Sequence, residues 1–158
     1  MDDVLYMEEA LKEARQAFEL GEVPIGCVIV HGGEIVGRGY NRRAKEKNVL
    51  YHAEILAINE ACGRIGDWRL EACRLYVTVE PCAMCAGAIL QARVPVVVFG
   101  ASNPKAGCVG SVVNLLDEPK FNHKAEVISG ICEEACASLM KEFFMQFRQS
   151  QTMMTDGT

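Results

Sequence analysis

The chain has 158 residues, half of them apolar, and a formal net charge of −5. This length fits one domain with a full core, and no apolar run approaches the roughly 20 residues of a membrane span. The start, Met1 to Asp3, is acidic and unlike a signal peptide, and the eight cysteines lie mostly inside apolar helix or strand patterns. These features favour a cytoplasmic protein with reduced thiols, in which any nucleic-acid contact would need a local basic patch.

The first third of the chain predicts a helix followed by a hairpin. Apolar residues recur at helical spacing from Val4 to residue 20, and Gly21 predicts the end of the helix. Two apolar, β-branched segments then predict strands, at Pro24–Val30 and Glu34–Tyr40. The residues His31 to Glu34 between them predict a tight turn with His31 facing solvent. The polar loop 42–47 is the densest basic cluster of the chain, and is either simply solvated or an RNA contact.

The rest of the chain alternates helices and strands. The predicted helices are His52–Cys62, Cys82 to about Ala92, and Glu133–Arg148, and the predicted strands are Leu75–Val79, Val94–Gly100 and Ala125–Ile131. Strand, helix and apolar strand in succession predict a right-handed crossover with parallel pairing. The loop Ala101–Gly110 would follow the carboxyl end of a strand, where ligands collect in open α/β sheets. We expect one domain over residues 1–158, with about 149–158 a frayed tail.

Two short motifs predict a metal site. His52-Ala53-Glu54 begins one helix, and Pro81-Cys82-Ala83-Met84-Cys85 begins the next. Cys82 and Cys85 would lie side by side on one turn, at a helix N-terminus that favours the thiolate. Two Cys and one His make three ligands, and a catalytic zinc keeps its fourth position for water, whereas structural zinc sites normally close with four.

Glu54 is the candidate proton carrier beside this metal. It lies two residues after His52, about 200° around an ideal helix, so the two side chains converge only if His52 is at the cap and Glu54 in the first turn. A carboxylate beside a metal-bound water is placed to transfer protons. Each motif alone is weak, since Cys-x-x-Cys is also common in redox-active and structural sites. Cys132 and Cys136 could suggest a second metal pair, but without further ligands nearby they are predicted to be core thiols.

The two motifs together form the H-x-E … P-C-x-x-C signature of the zinc nucleobase deaminases. From about residue 4 to residue 148 the chain resembles one branch of them, the bacterial tRNA-specific adenosine deaminases. The stretches that carry this resemblance beyond the zinc signature are Glu22–Gly26, Gly39–Arg42, Leu75–Pro81, Val98–Ala101, Phe121–His123 and Phe143–Phe144. The resemblance implies a three-layer α/β/α sandwich on a five-stranded mixed sheet, the cytidine deaminase-like fold, and a homodimer with an RNA site near the dimer seam.

The resemblance also implies a role for each matching residue. His52, Cys82 and Cys85 would bind one zinc ion per chain, and Glu54 would be the proton shuttle. The remaining matches, all implied contacts to the RNA, are Asn41 to the flipped purine and Asn103, Lys105, His123 and Phe144 to neighbouring nucleotides. The implied reaction is hydrolytic deamination of adenosine to inosine at the wobble position of an arginine tRNA, by zinc-bound hydroxide. The substrate would be the anticodon stem-loop, with no membrane and no organic cofactor involved.

The chain departs from the family at two places. Asn103 stands where members often carry Asp, and Phe143-Phe144-Met145 replaces Phe-Phe-Arg, with Arg148 as the nearest remaining charge.

Two alternative functions remain. A deaminase of a free base or nucleotide, of the guanine or cytosine type, would share the metal and the sheet. A non-catalytic zinc-binding RNA partner would be expected to lack the proton shuttle, whereas Glu54 is present.

Overall fold

The structure is a computed structural model that describes residues 2–156, with side chains up to residue 149. Within these residues the helices are α1 (Asp3–Glu19), α2 (Ala53–Ile65), α3 (Ala83–Gln91) and α4 (Glu133–Asp156). The strands are β1 (Gly26–His31), β2 (Glu34–Tyr40), β3 (Cys73–Val79), β4 (Val96–Ala101) and β5 (Glu126–Ser129). No helix in this part of the chain is long and apolar enough to cross a membrane.

The five strands form one mixed sheet in the order β2-β1-β3-β4-β5. Strand β1 is antiparallel to both β2 and β3, while β3, β4 and β5 are parallel. The β1–β2 turn places Gly32 and Gly33 at φ 58° and 81°, a backbone conformation that glycine adopts without strain. The predicted hairpin and the parallel β3–β4 crossover are therefore both confirmed.

Helices cover both faces of the sheet. Alternate residues of β1 point to opposite faces, so that Cys27 and Ile29 pack with α2 and α3, whereas Val28 and Val30 pack with α1 and α4. The buried Cys136, which is 1% exposed, belongs to the second cluster, and Cys132 packs against it. The α/β/α sandwich is confirmed, and these two cysteines are core thiols as predicted.

Helix α2 lies unusually close to β2. A Cβ atom at Gly39 would lie 2.3 Å from the carbonyl oxygen of Ala53, and one at Gly37 would lie 2.2 Å from that of Ala57. Both distances are shorter than any real Cβ contact, so these positions require glycine. Contact with the backbone of β2 therefore sets the distance between the sheet and the first two turns of α2.

Several element ends differ from those predicted. Helix α2 continues to Ile65 and ends at Gly66, which adopts the left-handed conformation with φ 78°. Strand β4 begins at Val96, directly after Pro95, and Cys82 is the cap of α3 rather than its first helical residue. Helix α4 extends past Arg148 to Asp156, and residues 157–158 of the predicted frayed tail lie outside the described residues.

Candidate active site

His52, Cys82 and Cys85 meet where two helices begin. His52 is the N-cap of α2 and Cys82 the N-cap of α3, both with extended backbone, and Cys85 lies in the first turn of α3. The Nδ1 atom of His52 lies 3.7 Å from the Sγ of Cys82 and 3.6 Å from that of Cys85. All three atoms lie within 4.8 Å of one another. Among the residues that the structure describes, this is the one such group of three.

The spacing of these atoms fits a zinc ion. Tetrahedral coordination with Zn–S near 2.3 Å and Zn–N near 2.05 Å separates sulfur from nitrogen by about 3.6 Å. The observed separations of 3.7 and 3.6 Å agree with this value. Two thiols and an imidazole are also ligands that zinc prefers.

The local electrostatics favour ionised sulfur. The hydrogen bonds from the Cys85 thiol and from His52 lower the pKa of Cys82 to about 3. The hydrogen bond with Cys82 in turn raises the pKa of His52. The same contact with Cys82, together with burial, raises the pKa of Cys85. The N-terminus of α3 adds partial positive charge from its unpaired N–H groups. Cys82 is therefore held as a thiolate, the form that binds metal.

Glu54 lies next to these groups in the first turn of α2, and His52 is the cap of the same helix. This is the arrangement in which the side chains of His52 and Glu54 can converge. The residue is only 4% exposed. Burial, with a smaller contribution from the nearby Cys82, raises the pKa of its carboxyl to about 7, although the hydrogen bond from its own backbone N–H, the nearby His52 and a hydrogen bond with Cys85 oppose the shift. A carboxyl in this position could both accept and donate a proton near neutral pH.

Asn41 holds the start of α2, a role that the sequence analysis did not predict. His52 makes no side-chain cap hydrogen bond, and the Ala53 N–H donates instead to Oδ1 of Asn41 at 2.8 Å. This contact lies between His52 and Glu54 in the chain, so Asn41 orients both of them. Asn41 directly follows β2 and lies twelve residues before Ala53, so no local capping pattern in the sequence indicated this contact.

Asn41 and Phe144, both predicted RNA contacts, line one cavity. The cavity has a volume of about 290 Å³, and its wall consists of Gly21, Glu22, Val23, Asn41, Arg43, Ala44, Phe143, Phe144 and Phe147. The rings of Phe143 and Phe144 meet edge to face at 5.3 Å. The middle of α4 thus faces the loop that leads to His52.

The basic loop 42–47 divides into two kinds of residue. The guanidinium of Arg42 lies over the rings of Tyr40 and Tyr51, at 5.3 and 5.8 Å from their centres. Arg43 is exposed and lines the cavity. The buried carboxylate of Glu22 accepts hydrogen bonds from the N–H groups of Ala44 and Lys45 at 3.0 and 3.3 Å. Arg42 therefore supports the loop, whereas Arg43 is available to a ligand.

The other predicted RNA contacts lie on separate loops. Asn103 is half-buried and Lys105 is exposed, both in the loop that follows β4. The ring Nε2 of His123 lies 2.8 Å from the carbonyl of Val94, beyond the C-terminal end of α3. Cys82 and Cys85 lie at the N-terminal end of this nine-residue helix, so about 13 Å of helix separates them from His123. Within one chain, His123 is not brought together with Asn41 and Phe144.

Comparison with known proteins identifies the family. The profile of the MafB19-like deaminases matches residues 1–148. A tRNA-specific adenosine deaminase of Bacillus subtilis (strain 168) is 54% identical over 149 residues, which are 94% of this chain and 92% of that protein. A structure from a study of A-to-I editing by tRNA:A34 deaminases is 44% identical, with a TM-score of 0.82 over 85% of this chain and 98% of its own.

A second structure shows how widely the fold is shared. The guanine deaminase of Nitrosomonas europaea superposes with a TM-score of 0.75 over 89% of this chain and 83% of its own, at 22% identity. That similarity concerns the fold alone, whereas the similarity to the Bacillus protein extends over nearly the whole sequence. The chain is a hydrolytic deaminase and belongs to the family of tRNA-specific adenosine deaminases.

Proposed function

We propose that this protein deaminates the wobble adenosine of an arginine tRNA to inosine in the cytoplasm. The observation that carries the proposal is the buried Glu54 beside the His52, Cys82 and Cys85 group, joined through Asn41 to a cavity lined by aromatic rings. The similarity to tRNA-specific adenosine deaminases, and to a structure studied for editing at the wobble position, supports this substrate.

His52, Cys82 and Cys85 would hold the zinc ion. When bound, zinc supplies a Lewis acid that makes water nucleophilic near neutral pH. Glu54 would accept a proton from the attacking water and deliver it to the ring nitrogen N1 of adenine. It would then accept the proton of the hydroxyl group newly formed at C6 and deliver it to the amino group, which leaves as ammonia while the C6 carbonyl forms. Its burial keeps it close to the reacting atoms and excludes competing bulk water. One carboxyl group can serve all of these transfers because each leaves it ready for the next.

Asn41 and the aromatic cavity would hold the RNA loop. Since Oδ1 of Asn41 accepts the Ala53 N–H, its Nδ2 group would donate to an acceptor of the flipped purine. The exposed ring of Phe144 offers a stacking surface for a neighbouring base. A cavity of about 290 Å³ is close to the lower limit of ligand pockets, near 300 Å³, which suits one base rather than a larger group. Asn103 and Lys105, in the loop that follows β4, would contact nucleotides that neighbour the flipped purine.

A homodimer would explain the position of His123. The cavity beside His123 is lined by residues of α3 and of the segment before β5, namely Gly87, Leu90, Gln91, Arg93, Leu115, Phe121, Asn122 and His123. Two-fold symmetry could bring this cavity next to the partner's Glu54 site. His123 would then bind the RNA that reacts in the other subunit.

The first experiment tests the reaction. Purified protein is incubated with an arginine anticodon stem-loop, with free adenosine and with free guanine, and the products are separated by chromatography. We expect inosine from the stem-loop alone. Glu54→Gln should retain zinc and reduce turnover by about 10²–10⁴-fold, while Glu60→Gln, an exposed change on the same helix, should leave turnover unchanged. Xanthine from guanine without inosine from RNA would instead establish a free-base deaminase.

The second experiment tests the dimer. Chains with Glu54→Gln are paired with chains carrying His123→Ala in a tagged, purified heterodimer. If His123 acts in the partner's site, the chain with intact Glu54 receives an intact His123, so activity should be about half that of the wild type. Activity about half that of the His123→Ala homodimer would place its action within its own chain. A monomer in light scattering would contradict the dimer directly.

A further inference from the structure

Glu80 is a buried carboxylate that takes no part in the proposed chemistry. It follows β3 and precedes Pro81 and Cys82, one of the three candidate metal ligands, and it is only 3% exposed. A buried carboxylate is unfavourable unless its charge is satisfied by hydrogen bonds or an opposite charge. Among the described residues, the partners of Glu80 are N–H and O–H groups rather than cations.

Those partners come from both ends of the 103–111 loop. The N–H of Asn103 donates to Oε1 at 3.0 Å, and the N–H groups of Val109 and Ser111 each donate to Oε2 at 3.0 Å. The Ser111 hydroxyl also donates to Oε1. These hydrogen bonds outweigh burial and lower the pKa of Glu80. One side chain therefore joins the two ends of a loop that contains Asn103 and Lys105.

The loop is shaped closely around this carboxylate. A Cβ atom at Gly107 would lie 2.3 Å from Cδ of Glu80 and 2.6 Å from the carbonyl oxygen of Asn103. The Gly107 N–H donates to that same carbonyl at 2.8 Å, and the Cys108 N–H donates to the carbonyl of Pro81 at 2.8 Å. The loop thus contacts the chain at the residue immediately before Cys82.

We propose that Glu80 is a positioning residue, which holds the 103–111 loop beside the metal site so that Asn103 and Lys105 meet the RNA substrate. This proposal rests on the proposed function. Glu80 acts through the loop and does not touch the reacting base. The backbone hydrogen bonds of Gly107 and Cys108 support the middle of the loop, whereas the Glu80 side chain joins its two ends, at Asn103 and Ser111. Holding it before RNA arrives reduces the ordering that binding must otherwise impose.

The test is the nearly isosteric change Glu80→Gln. The amide keeps the volume but replaces one acceptor oxygen with an NH₂ donor, which would face N–H groups of the loop. Glu13→Gln is the matched control, since Glu13 is also a buried glutamate but lies on α1 and accepts from Gln16. Ser111→Ala removes only the hydroxyl contact and keeps the backbone N–H, so it provides a milder variant if Glu80→Gln does not fold.

Three measurements are made for each variant: zinc per chain, steady-state kinetics on the stem-loop RNA (kcat and KM), and amide hydrogen exchange in residues 103–111. For Glu80→Gln we expect about one zinc per chain, exchange in the loop at least about tenfold faster, KM raised about tenfold and kcat within about threefold of wild type. Ser111→Ala should shift exchange and KM in the same direction by a smaller factor. Glu13→Gln should change none of the three.

Several results would overturn the proposal. Unchanged loop exchange in Glu80→Gln would show that the carboxylate does not hold the loop. Faster exchange with an unchanged KM would show that the loop position does not matter for RNA. Loss of zinc with a collapsed kcat and unchanged KM would make Glu80 a support of the metal site instead. If the wild type deaminates no RNA, the proposed function fails, and the exchange result alone then decides whether Glu80 orders the loop.

Discussion

The contact between Gly39 and α2 predicts that a single methyl group at position 39 will impair the active site. A Cβ atom there would lie 2.3 Å from the Ala53 carbonyl, whereas the normal carbon–oxygen contact is about 3.3 Å. The first turn of α2 would have to move away from the sheet by roughly 1 Å, which carries His52 and Glu54 with it. A misplacement of about 1 Å can reduce a reaction rate about 10²-fold, and overpacking typically costs about 1–3 kcal/mol of stability.

Two other glycines provide controls for Gly39→Ala. Gly37→Ala creates the same kind of clash, 2.2 Å from the Ala57 carbonyl, one turn further from the active site. It should cost similar stability yet retain most of the turnover per zinc-loaded chain. Gly63→Ala lies on an exposed part of α2 with nothing within 4 Å, so it should raise stability by about 0.5–1 kcal/mol.

The assay combines urea unfolding, zinc analysis and inosine formation at saturating RNA for all three variants. The expected order of turnover per zinc-loaded chain is Gly63→Ala, then Gly37→Ala, then Gly39→Ala, with the last lower by about 10²-fold. Equal turnover for Gly37→Ala and Gly39→Ala would refute the argument that the height of the first turn of α2 sets the active-site geometry. Wild-type stability in both would show that the helix moves away without cost.

Three further predictions concern the metal, the pH dependence of stability and the RNA contact. Cys85→Ala should reduce zinc from about one per chain to near zero and abolish turnover, while retained zinc would contradict its role as a ligand. Burial raises the pKa of Glu13 above its usual 4.5, so folding takes up a proton there and stability should fall as the pH rises through that range. Thermal unfolding of Glu13→Gln should lack this part of the pH dependence, and identical profiles would contradict it. Arg43→Ala should reduce the salt dependence of RNA binding by a slope of about 1, whereas Arg42→Ala should mainly lower Tm because its guanidinium stacks on two tyrosines. A salt slope that changes for Arg42→Ala and not for Arg43→Ala would reverse this assignment.

The parts of the site that were predicted from sequence depend on neighbours in the chain. Cys82 and Cys85 share one helical turn, so their spacing alone implies their proximity. His52 and Glu54 converge because His52 is the cap of α2 and Glu54 lies in its first turn, which was the condition stated from the sequence. The alternating residues of β1 likewise indicate which side chains face each helix layer.

The parts that were not predicted depend on contacts between distant segments. The Asn41 cap on Ala53 exists only because the end of β2 lies beside the start of α2. The hydrogen bonds of Glu80 span more than twenty residues, and nothing in the local pattern distinguishes this Glu from a solvent-exposed one. The position of His123 follows from how the segment before β5 packs on the end of α3. Spacing along the chain carries no information about such contacts.

Helix α4 connects the two sides of the molecule in a way that bears on how deaminases acquire new substrates. Its first turns pack on the sheet face opposite to the candidate metal ligands, through Cys136 and Leu139. Its aromatic residues Phe143, Phe144 and Phe147 nevertheless reach the cavity beside Asn41. Phe143 contacts α1 through an edge-on contact with the ring of Phe18, at 6.0 Å between the ring centres. Changes at residues 143–147 of α4 can therefore reshape this cavity without moving Glu54 or the His52, Cys82 and Cys85 group. Such independence between the shape of a cavity and the geometry of the reacting groups lets one scaffold diversify.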